Sequence, residues 1–583
     1  MSIRTRRTVL ASLGALAGVS VAGQSLAADG TNEAGSDASE PSEQSLDWST
    51  RRAGPGRTGS VPADAAPGGE YAAEAWTAGS GEFVFVEEPI VADGTVYRPF
   101  MIDDVSFRGG VVAFDAETGE ERWRHVSAYY SQNDGWPTGI GRVNSAPTVA
   151  AGRLYLTSRA GTSDAEYGGL HALDAETGEV AWSETDRGWN GSPLYADGTL
   201  YVTAAPGEDV HALDPATGET RWRTDDSYSS GYVGFADDTL LGSRYPASGD
   251  ADADPEVVGW NPDDGSIRWA TTADEDVPVG GGAIEGDAVF STVGATPDDE
   301  DRANEVVAWS PREGSVRWRT TLTPDGEDPE PLVSAPAVAD GTVYVHVGPR
   351  TSRRDQHERS RDPLSTAYAL DAATGEIEWT YDAPTVLLGD PSVAGDTVYV
   401  GGHAVQKKEK QGPSTIRRYP TVHALAAGDG SERWSYLLRA ESDDVRMAMT
   451  PAVADGRVYA GIHDYGYEQS DGVFALEASD VAPDSANLPI SSDAPVARIA
   501  TDPEDAESRT LDGGTTVTLD GSASAGEVET YEWRVGESGS FEAGDPSIDV
   551  TLDFCGSIEV SLRVTGPDGG ESTASATLST VEG

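Results

Sequence analysis

Basic side chains concentrate in two stretches of this 583-residue sequence, where they could bind an acidic protein surface or another polyanion. The alternative is that both stretches are solvated loops whose bases pair with neighbouring acids such as Asp355, Glu358 and Glu409. The bases that we expect to contact a partner are Arg350, Arg353, Arg354 and Arg359 in the first stretch and Lys407, Lys408, Lys410, Arg417 and Arg418 in the second.

Aromatic side chains recur in and beside the longer predicted loops, and flat rings there suit the binding of sugars. Packing of long loops upon themselves would explain the same residues. The candidates for an aromatic surface are Tyr129, Tyr130, Trp136, Trp189 and Tyr232.

The sequence has no motif of a metallopeptidase, a serine hydrolase or a phosphate-binding loop. Asp250, Asp252 and Asp254 alternate as calcium ligands do, but the glycine and the distal glutamate of an EF-hand loop are missing, so we predict no metal site. Asp390, at the start of a predicted inner strand, is the best single candidate for an acid with a functional role. Cys555 is the only cysteine, which excludes an internal disulfide, a CxxC redox pair and a four-cysteine zinc site.

The chain is strongly acidic, with 99 Asp and Glu against 40 Lys and Arg and a formal charge of −59. This charge excludes ordinary recognition of a nucleic-acid backbone and disfavours docking on anionic membranes. Only three of the bases are lysines. The composition resembles that of proteins from extremely halophilic archaea, in which surface acidity is an adaptation to the solvent.

A repeat runs through most of the chain and must supply the elements that position these residues. One half, P-x-V-A-D-G-x-V-Y-V, occurs eight times between Pro89 and Ile462. The other half, A-L-D-A-x-T-G-E-x-x-W, ends at seven tryptophans, and one further tryptophan strand, around Trp76, precedes the first copy. Each unit predicts four short antiparallel strands, so the chain is expected to form an all-β, eight-bladed β-propeller. We expect the N-terminal strand of Trp76 to close the ring by completing the last blade.

The two faces of such a disc differ. The A-D-G and T-G-E turns fall on one face, and nearly all long insertions fall on the other, which we call the long-loop face. These insertions lie at 125–145, 245–255, 348–364, 403–419 and 463–470. Because loops on a rigid scaffold carry most binding sites, we expect the partner to bind on the long-loop face.

The motif A-x-D-x-x-T-G-x-x-x-W resembles the tryptophan-docking motif of pyrroloquinoline-quinone (PQQ)-type propellers. It is intact in four units, first as Ala113, Asp115, Thr118, Gly119 and Trp123. The resemblance covers residues 46–480 and implies that each tryptophan packs between neighbouring blades. The docking residues would be Trp76, Trp123, Trp182, Trp222, Trp269, Trp318, Trp379 and Trp434.

The resemblance leaves three functions open. The chain could be a non-catalytic binding or scaffold protein, a PQQ- and calcium-dependent dehydrogenase of alcohols or sugars, or a carbohydrate-binding or carbohydrate-active propeller. Those dehydrogenases hold the quinone and Ca²⁺ on the ring axis with Glu, Asn and Asp ligands, and no such ligand set can be mapped here. We therefore expect a monomeric scaffold without a cofactor, which binds a protein or cell-surface component, with a glycan as a further candidate.

The remaining segments predict export and a second module. Residues 1–28 have the pattern of a signal peptide, and Thr5-Arg6-Arg7-Thr8 resembles a twin-arginine motif. Residues 29–45 predict a disordered acidic spacer and 481–494 a linker. Residues 495–583 predict a β-sandwich that resembles PKD-type domains through Val517-Thr-Leu-Asp-Gly-Ser and Tyr531-Glu-Trp. We expect an extracellular or cell-surface protein.

Overall fold

The structure, a computed structural model, describes residues 47–581 apart from a series of gaps. Cys555 and Asp250, Asp252 and Asp254 lie outside the described residues, as do the predicted signal peptide and acidic spacer. The gaps are 80–83, 86–87, 102–108, 127–139, 141, 144, 160–168, 186, 206–208, 225–227, 247–255, 275–276, 279–281, 295–303, 323–330, 350–364, 409–414, 439–445, 465–471, 481–496, 498, 504–505, 507–509, 523, 525–527, 537–540, 553–555 and 566–570.

Regular structure in the described residues is almost entirely β-strand. The chain begins with β1 (Ser60–Val61), a 3₁₀ turn (Ala63–Ala65) and β2 (Tyr71–Ala78). Sheet 1 consists of β3 to β7 (Val84–Phe85, Ile90–Ala92, Thr95–Met101, Gly109–Asp115, Glu121–Val126), and sheet 2 consists of β8 to β12 (Arg142–Val143, Thr148–Ala150, Arg153–Arg159, Gly169–Asp174, Val180–Glu184). Sheet 3 consists of β13 to β16 (Gly188–Ala196, Thr199–Ala205, Asp209–Leu213, Thr220–Arg223), and sheet 4 consists of β17 to β20 (Tyr228–Ala236, Thr239–Pro246, Glu256–Trp260, Ile267–Thr272). Sheet 5 consists of β21 to β24 (Ala283–Glu285, Ala288–Val293, Asn304–Ser310, Ser315–Leu322), and sheet 6 consists of β25 to β29 (Pro331–Val333, Ala337–Ala339, Thr342–Pro349, Ser365–Asp371, Ile377–Ala383). Sheet 7 consists of β30 to β33 (Val386–Ala394, Thr397–Lys408, Thr415–Ala426, Glu432–Leu437) together with β1. Sheet 8 consists of β34 to β37 (Arg446–Ala448, Ala452–Ala454, Arg457–Asp464, Gly472–Ser479) together with β2.

These sheets form a closed ring. Each packs against the next through its inner strands, and β35 of sheet 8 packs against β4 of sheet 1. The strand of Trp76, β2, pairs antiparallel with β37 and so completes sheet 8 with a strand from the start of the chain, as the sequence predicted. The all-β propeller predicted from the repeats is therefore the fold of this region.

The turns of each repeat follow from local chemistry. In the first A-D-G turn, Asp93 and Gly94 have φ of 49° and 66°, the left-handed pair that a tight hairpin requires. In the first T-G-E turn, the Asp115 carboxylate accepts hydrogen bonds from the Thr118 amide at 2.9 Å and its hydroxyl at 3.0 Å. These short turns fix one face of the ring, so that the strands must cross to the long-loop face and return.

Two further sheets follow the propeller in the chain. β38 (Ala500–Asp502), β40 (Thr516–Asp520) and β43 (Ser547–Thr551) form one, and β39 (Thr510–Asp512), β41 (Thr530–Val535), β42 (Glu542–Gly544), β44 (Gly556–Thr565) and β45 (Glu571–Val581) form the other. They share a core around Trp533, Leu519 and Leu562. No helix in the described part of the chain has the length and apolar character needed to cross a membrane.

Candidate functional site at the ring axis

The most extensive feature at the axis is a segment that precedes all eight sheets. Residues 48–61, which we call the N-terminal clasp, run past the inner strands and accept their amide hydrogen bonds in ring order. The donors occupy the same register position in six inner strands. The pairs are Val91 N to Trp48 O (2.9 Å), Val149 N to Ser49 O (2.8 Å), Phe235 N to Pro55 O (2.9 Å), Ile284 N to Gly56 O (2.9 Å), Val338 N to Thr58 O (2.8 Å) and Val393 N to Gly59 O (2.8 Å).

The clasp exists because an inner strand has no neighbouring strand on its axial side. Its amides there need acceptors, since an unpaired buried N–H is costly. To follow the ring, the clasp takes left-handed backbone at Arg52 (φ 61°), Ala53 (φ 69°) and Arg57 (φ 54°). Gly59 (φ 66°) has no room for a side chain, because a Cβ would lie 2.6 Å from a guanidinium nitrogen of Arg52. The backbone is thus shaped around Arg52.

Arg52 inserts a buried guanidinium among axial oxygens. Its Nη1 donates to the Pro391 carbonyl at 3.0 Å and its Nη2 donates to the Pro336 carbonyl. Its Nη1 also lies 3.6 Å from Oδ2 of Asp390, and its backbone amide donates to Oε1 of Glu88 at 2.7 Å. Burial raises the pKa of the Glu88 carboxyl, and the Arg52 charge opposes this rise. One cation therefore joins sheets 6 and 7 to the start of sheet 1.

Asp390 is held on both sides by the chain. Its Oδ1 accepts the Ala335 amide at 2.9 Å, and its own amide donates to the Thr450 hydroxyl at 2.8 Å. Nearby, Nε2 of buried His346 lies 2.7 Å from the Gly389 carbonyl, to which it donates. Burial lowers the pKa of His346, so its neutral form is favoured. The acid that the sequence singled out is thus a structural member of the axial cluster.

This arrangement does not fit a calcium ion with a bound quinone. A divalent cation on the axis requires carboxylate oxygens that are open to it. Asp390 instead accepts an amide and faces Arg52, while Glu88 accepts the Arg52 amide in a buried site that raises the pKa of its carboxyl. Among these described acids, the cation beside Asp390 is the Arg52 guanidinium of the chain itself.

The predicted basic residues fall partly within the described chain. Lys407 and Lys408 lie on β31, and Arg417 and Arg418 lie on β32, the paired strand. Lys407 is opposite Ile416, and Gln406 is opposite Arg417. The structure therefore brings these four bases onto one hairpin of sheet 7. Arg350, Arg353, Arg354, Arg359 and Lys410 lie outside the described residues.

The predicted aromatic surface is described at two positions. Trp189 is 2% exposed, and its indole N–H donates to the Glu184 carbonyl at 3.1 Å while the ring contacts His211 edge-on. The expectation of an exposed Trp189 platform is wrong, because the residue starts an inner strand and its ring packs into the sheet. Tyr232 lies on β17, where it pairs with Gly242. Tyr129, Tyr130 and Trp136 lie outside the described residues.

The repeat tryptophans link successive sheets. Trp76, Trp123, Trp182, Trp222, Trp318 and Trp379 each donate an indole hydrogen bond to a carbonyl of the following sheet, at 2.7–3.1 Å. Trp434 is buried, at 7% exposure. Each of the six donors also lies over the turn glycine of that next sheet, as Trp123 does over Gly178. Trp269 differs: its N–H has no partner among the described residues, and its ring faces Arg312 instead.

Sequence reasoning missed the clasp, although one signal for it was present. The stretch from Leu46 to Gly59 has Gly54, Pro55, Gly56 and Gly59 close together. Three glycines and a proline in so short a segment indicate a chain that turns repeatedly without forming a regular element. The contacts of Arg52 with residues more than 280 positions away have no local signal.

The ring of repeats, with tryptophans docked on the next sheet, defines a PQQ-like β-propeller. The chain belongs to the family described as outer membrane protein assembly factor BamB, whose model matches residues 107–275, 253–361 and 360–482. Among solved structures, the chain is similar to quinohemoprotein alcohol dehydrogenase from Comamonas testosteroni, with 15% identity and a TM-score of 0.46 over 75% of this chain and 82% of that one. It is also similar to BamB from Moraxella catarrhalis, with 15% identity and a TM-score of 0.39 over 71% of this chain and 99% of that one. No curated protein matches the sequence.

Proposed function

We propose that this chain is a non-catalytic binding protein that acts outside the cytoplasmic membrane and holds its partner on the long-loop face. The observation that carries the proposal is the axial cluster, in which Arg52 of the clasp contacts Asp390 through its guanidinium and Glu88 through its backbone amide. Because the chain's own residues bond to these axial acids, we expect the partner to bind elsewhere. The family's description as an assembly factor supports a role in binding other proteins.

Binding on the long-loop face is favoured by the difference between the two faces. The short-turn face is made of hairpin turns whose side chains bond to their own backbone, as Asp115 does to Thr118. On the other face the strands of sheet 7 extend well beyond their neighbours and carry four bases. A basic element on a strongly acidic chain suits recognition of an acidic partner. The pattern of residues 1–28 supports a location outside the cytoplasmic membrane.

Calorimetric titration of PQQ with Ca²⁺ into the folded mature chain tests the non-catalytic part of the proposal. We expect no binding heat and no dye-linked oxidation of alcohols or sugars. Binding at one site with a dissociation constant in the micromolar range would overturn the proposal and favour a quinone-dependent dehydrogenase instead.

Site-specific photocrosslinking tests the docking face. A photoreactive residue at Gln406, on the hairpin of sheet 7, is expected to give a defined adduct in cells of the source organism. The matched control is the same residue at Glu117, an exposed turn position on the opposite face. An adduct from Glu117 in place of Gln406, or from neither position, would contradict docking on the long-loop face.

A further inference from the structure

Glu88 is a buried carboxyl group that holds the N-terminal clasp at its turn. It precedes β4, the inner strand of sheet 1, and is 7% exposed. Its Oε1 accepts the backbone amide of Arg52 at 2.7 Å. The carbonyl oxygen of Arg52 in turn accepts the amides of Gly54 at 2.9 Å and Gly59 at 3.0 Å. Glu88 is therefore bonded to the residue about which the clasp folds back on itself.

The clasp depends on such contacts because its backbone is strained. Arg52 and Ala53 have left-handed φ of 61° and 69°, a conformation that is costly for residues other than glycine. A strained segment stays in place only while the surrounding contacts hold it there. A change in the strength of one contact of Arg52 therefore shifts the balance between a bound and a released clasp.

The negative charge of an ionised Glu88 is poorly compensated at this position. Among the described residues, its carboxyl group has one hydrogen bond and no ion pair. The guanidinium of Arg52 bonds instead to the carbonyls of Pro336 and Pro391. A buried carboxylate without a counter-ion in contact is costly, whereas the neutral acid is much less so. The hydrogen bond to the Arg52 amide needs only an acceptor oxygen, which both forms of the carboxyl group provide.

The charged groups of the surrounding elements act on Glu88 in both directions. Arg52 and Arg51 of the clasp favour the ionised form, and Asp390 of β30 opposes it. Arg98 of β5 is a further buried cation in sheet 1. Burial is the largest effect, and the pKa of Glu88 is raised above its ordinary value of 4.5. Closure of the clasp over this carboxyl group is therefore coupled to the binding of a proton.

We propose that the clasp is a proton-controlled strap, which Glu88 holds more firmly in its neutral form than in its ionised form. The contribution of Glu88 to closure is fully present below about pH 4.5, and it is lost as the pH rises through the raised pKa. Buried His346 has the opposite dependence, because burial lowers its pKa and its contribution is lost as the pH falls. The inference goes beyond the proposed binding function and does not depend on it.

Hydrogen exchange at Val91 and Val393, whose amides donate to the clasp, measures its release. After correction for the intrinsic pH dependence of exchange, protection in the folded mature chain is expected to fall above about pH 4.5, by up to about tenfold for each pH unit. Glu88→Gln keeps an acceptor oxygen for the Arg52 amide but cannot ionise, so it is expected to remove this fall. The matched control, Glu285→Gln, changes a half-buried acid on inner strand β21 whose pKa is also raised by burial, and it is expected to leave the fall unchanged.

Infrared difference spectra between the unaltered chain and Glu88→Gln follow the carboxyl group itself. The absorption of protonated Glu88 is expected to persist to a higher pH than that of an exposed glutamate. Protection in the unaltered chain that stays constant or rises with pH overturns the proposal without any variant. Equal pH dependence in the unaltered chain and in Glu88→Gln, or loss of the dependence in Glu285→Gln, overturns it as well. The proposed function fails separately, in the PQQ titration, so the two failures are distinguishable.

Discussion

Replacing Arg52 with methionine is expected to destabilise the propeller by about 3 kcal/mol. The guanidinium bonds to the carbonyls of Pro391 and Pro336 and lies 3.6 Å from Oδ2 of Asp390. Methionine keeps much of the length of the side chain but donates no hydrogen bond. The substitution therefore leaves two carbonyl oxygens without this donor and removes the cation beside Asp390, and each loss of this kind costs about 1 kcal/mol or more.

Arg51 provides a matched control, because it is the preceding residue, carries the same charge and is exposed. Arg51→Met is expected to cost less than about 1 kcal/mol, because Arg51 is exposed and acts on the buried Glu88 only through its charge. Urea unfolding of the mature chain, followed by tryptophan fluorescence, measures both variants. Trp48 in the clasp is fully buried, so release of the clasp also changes this signal.

Hydrogen exchange gives a local readout of the same substitution. If the clasp is held in place by Arg52, its loss exposes the inner-strand amides that now donate to the clasp carbonyls. Arg52→Met is expected to speed exchange at Val91, Val149, Phe235, Ile284, Val338 and Val393. Equal unfolding free energies for the two variants, with these amides still protected, would refute the reasoning.

Three further predictions concern the ring and its buried histidine, each measured by urea unfolding. Trp222→Phe is expected to cost about 1 kcal/mol, because the indole donates to the Pro262 carbonyl at 2.7 Å, whereas Trp269→Phe is expected to be close to neutral, because that N–H has no partner in the described chain. Gly178→Ala is expected to cost more than Gly152→Ala: both have φ of 71°, but only at Gly178 would the Cβ meet the docking tryptophan, at 2.4 Å. Burial, with repulsion from His125, lowers the pKa of His171 to about 4. The contribution of neutral His171 to the free energy of unfolding is therefore fully present above about pH 6.5, and it falls by up to about 1.4 kcal/mol per pH unit as the pH drops towards 4. His171→Asn is expected to flatten this pH dependence, and an unchanged slope would contradict a buried neutral imidazole.

The parts of the fold that the sequence predicted depend on short-range chemistry. The turn at Asp115 is made by residues three positions apart, and the docking tryptophan follows it at a fixed spacing, so both are visible in the four copies of the repeat in which the motif is intact. Closure of the ring by the strand of Trp76 was predictable because the last repeat of the propeller lacks a tryptophan strand of its own. Trp189 was misjudged because its burial depends on contacts with Glu184 and His211, and the repeat pattern does not show that either residue meets its ring.

The clasp shows why a repeat pattern alone does not reveal the centre of a ring. Repetition presents the same amide position of successive inner strands to the axis, and nothing in the repeats themselves satisfies these groups. Water, a ligand or an additional segment has to do so, and a repeat pattern does not distinguish among the three. Here residues 48–61 accept the hydrogen bonds and bring Arg52 to the acids. Because the repeats are alike, the differences between sheets, above all the four bases on the central hairpin of sheet 7, are where we expect the specific function of this chain to be encoded.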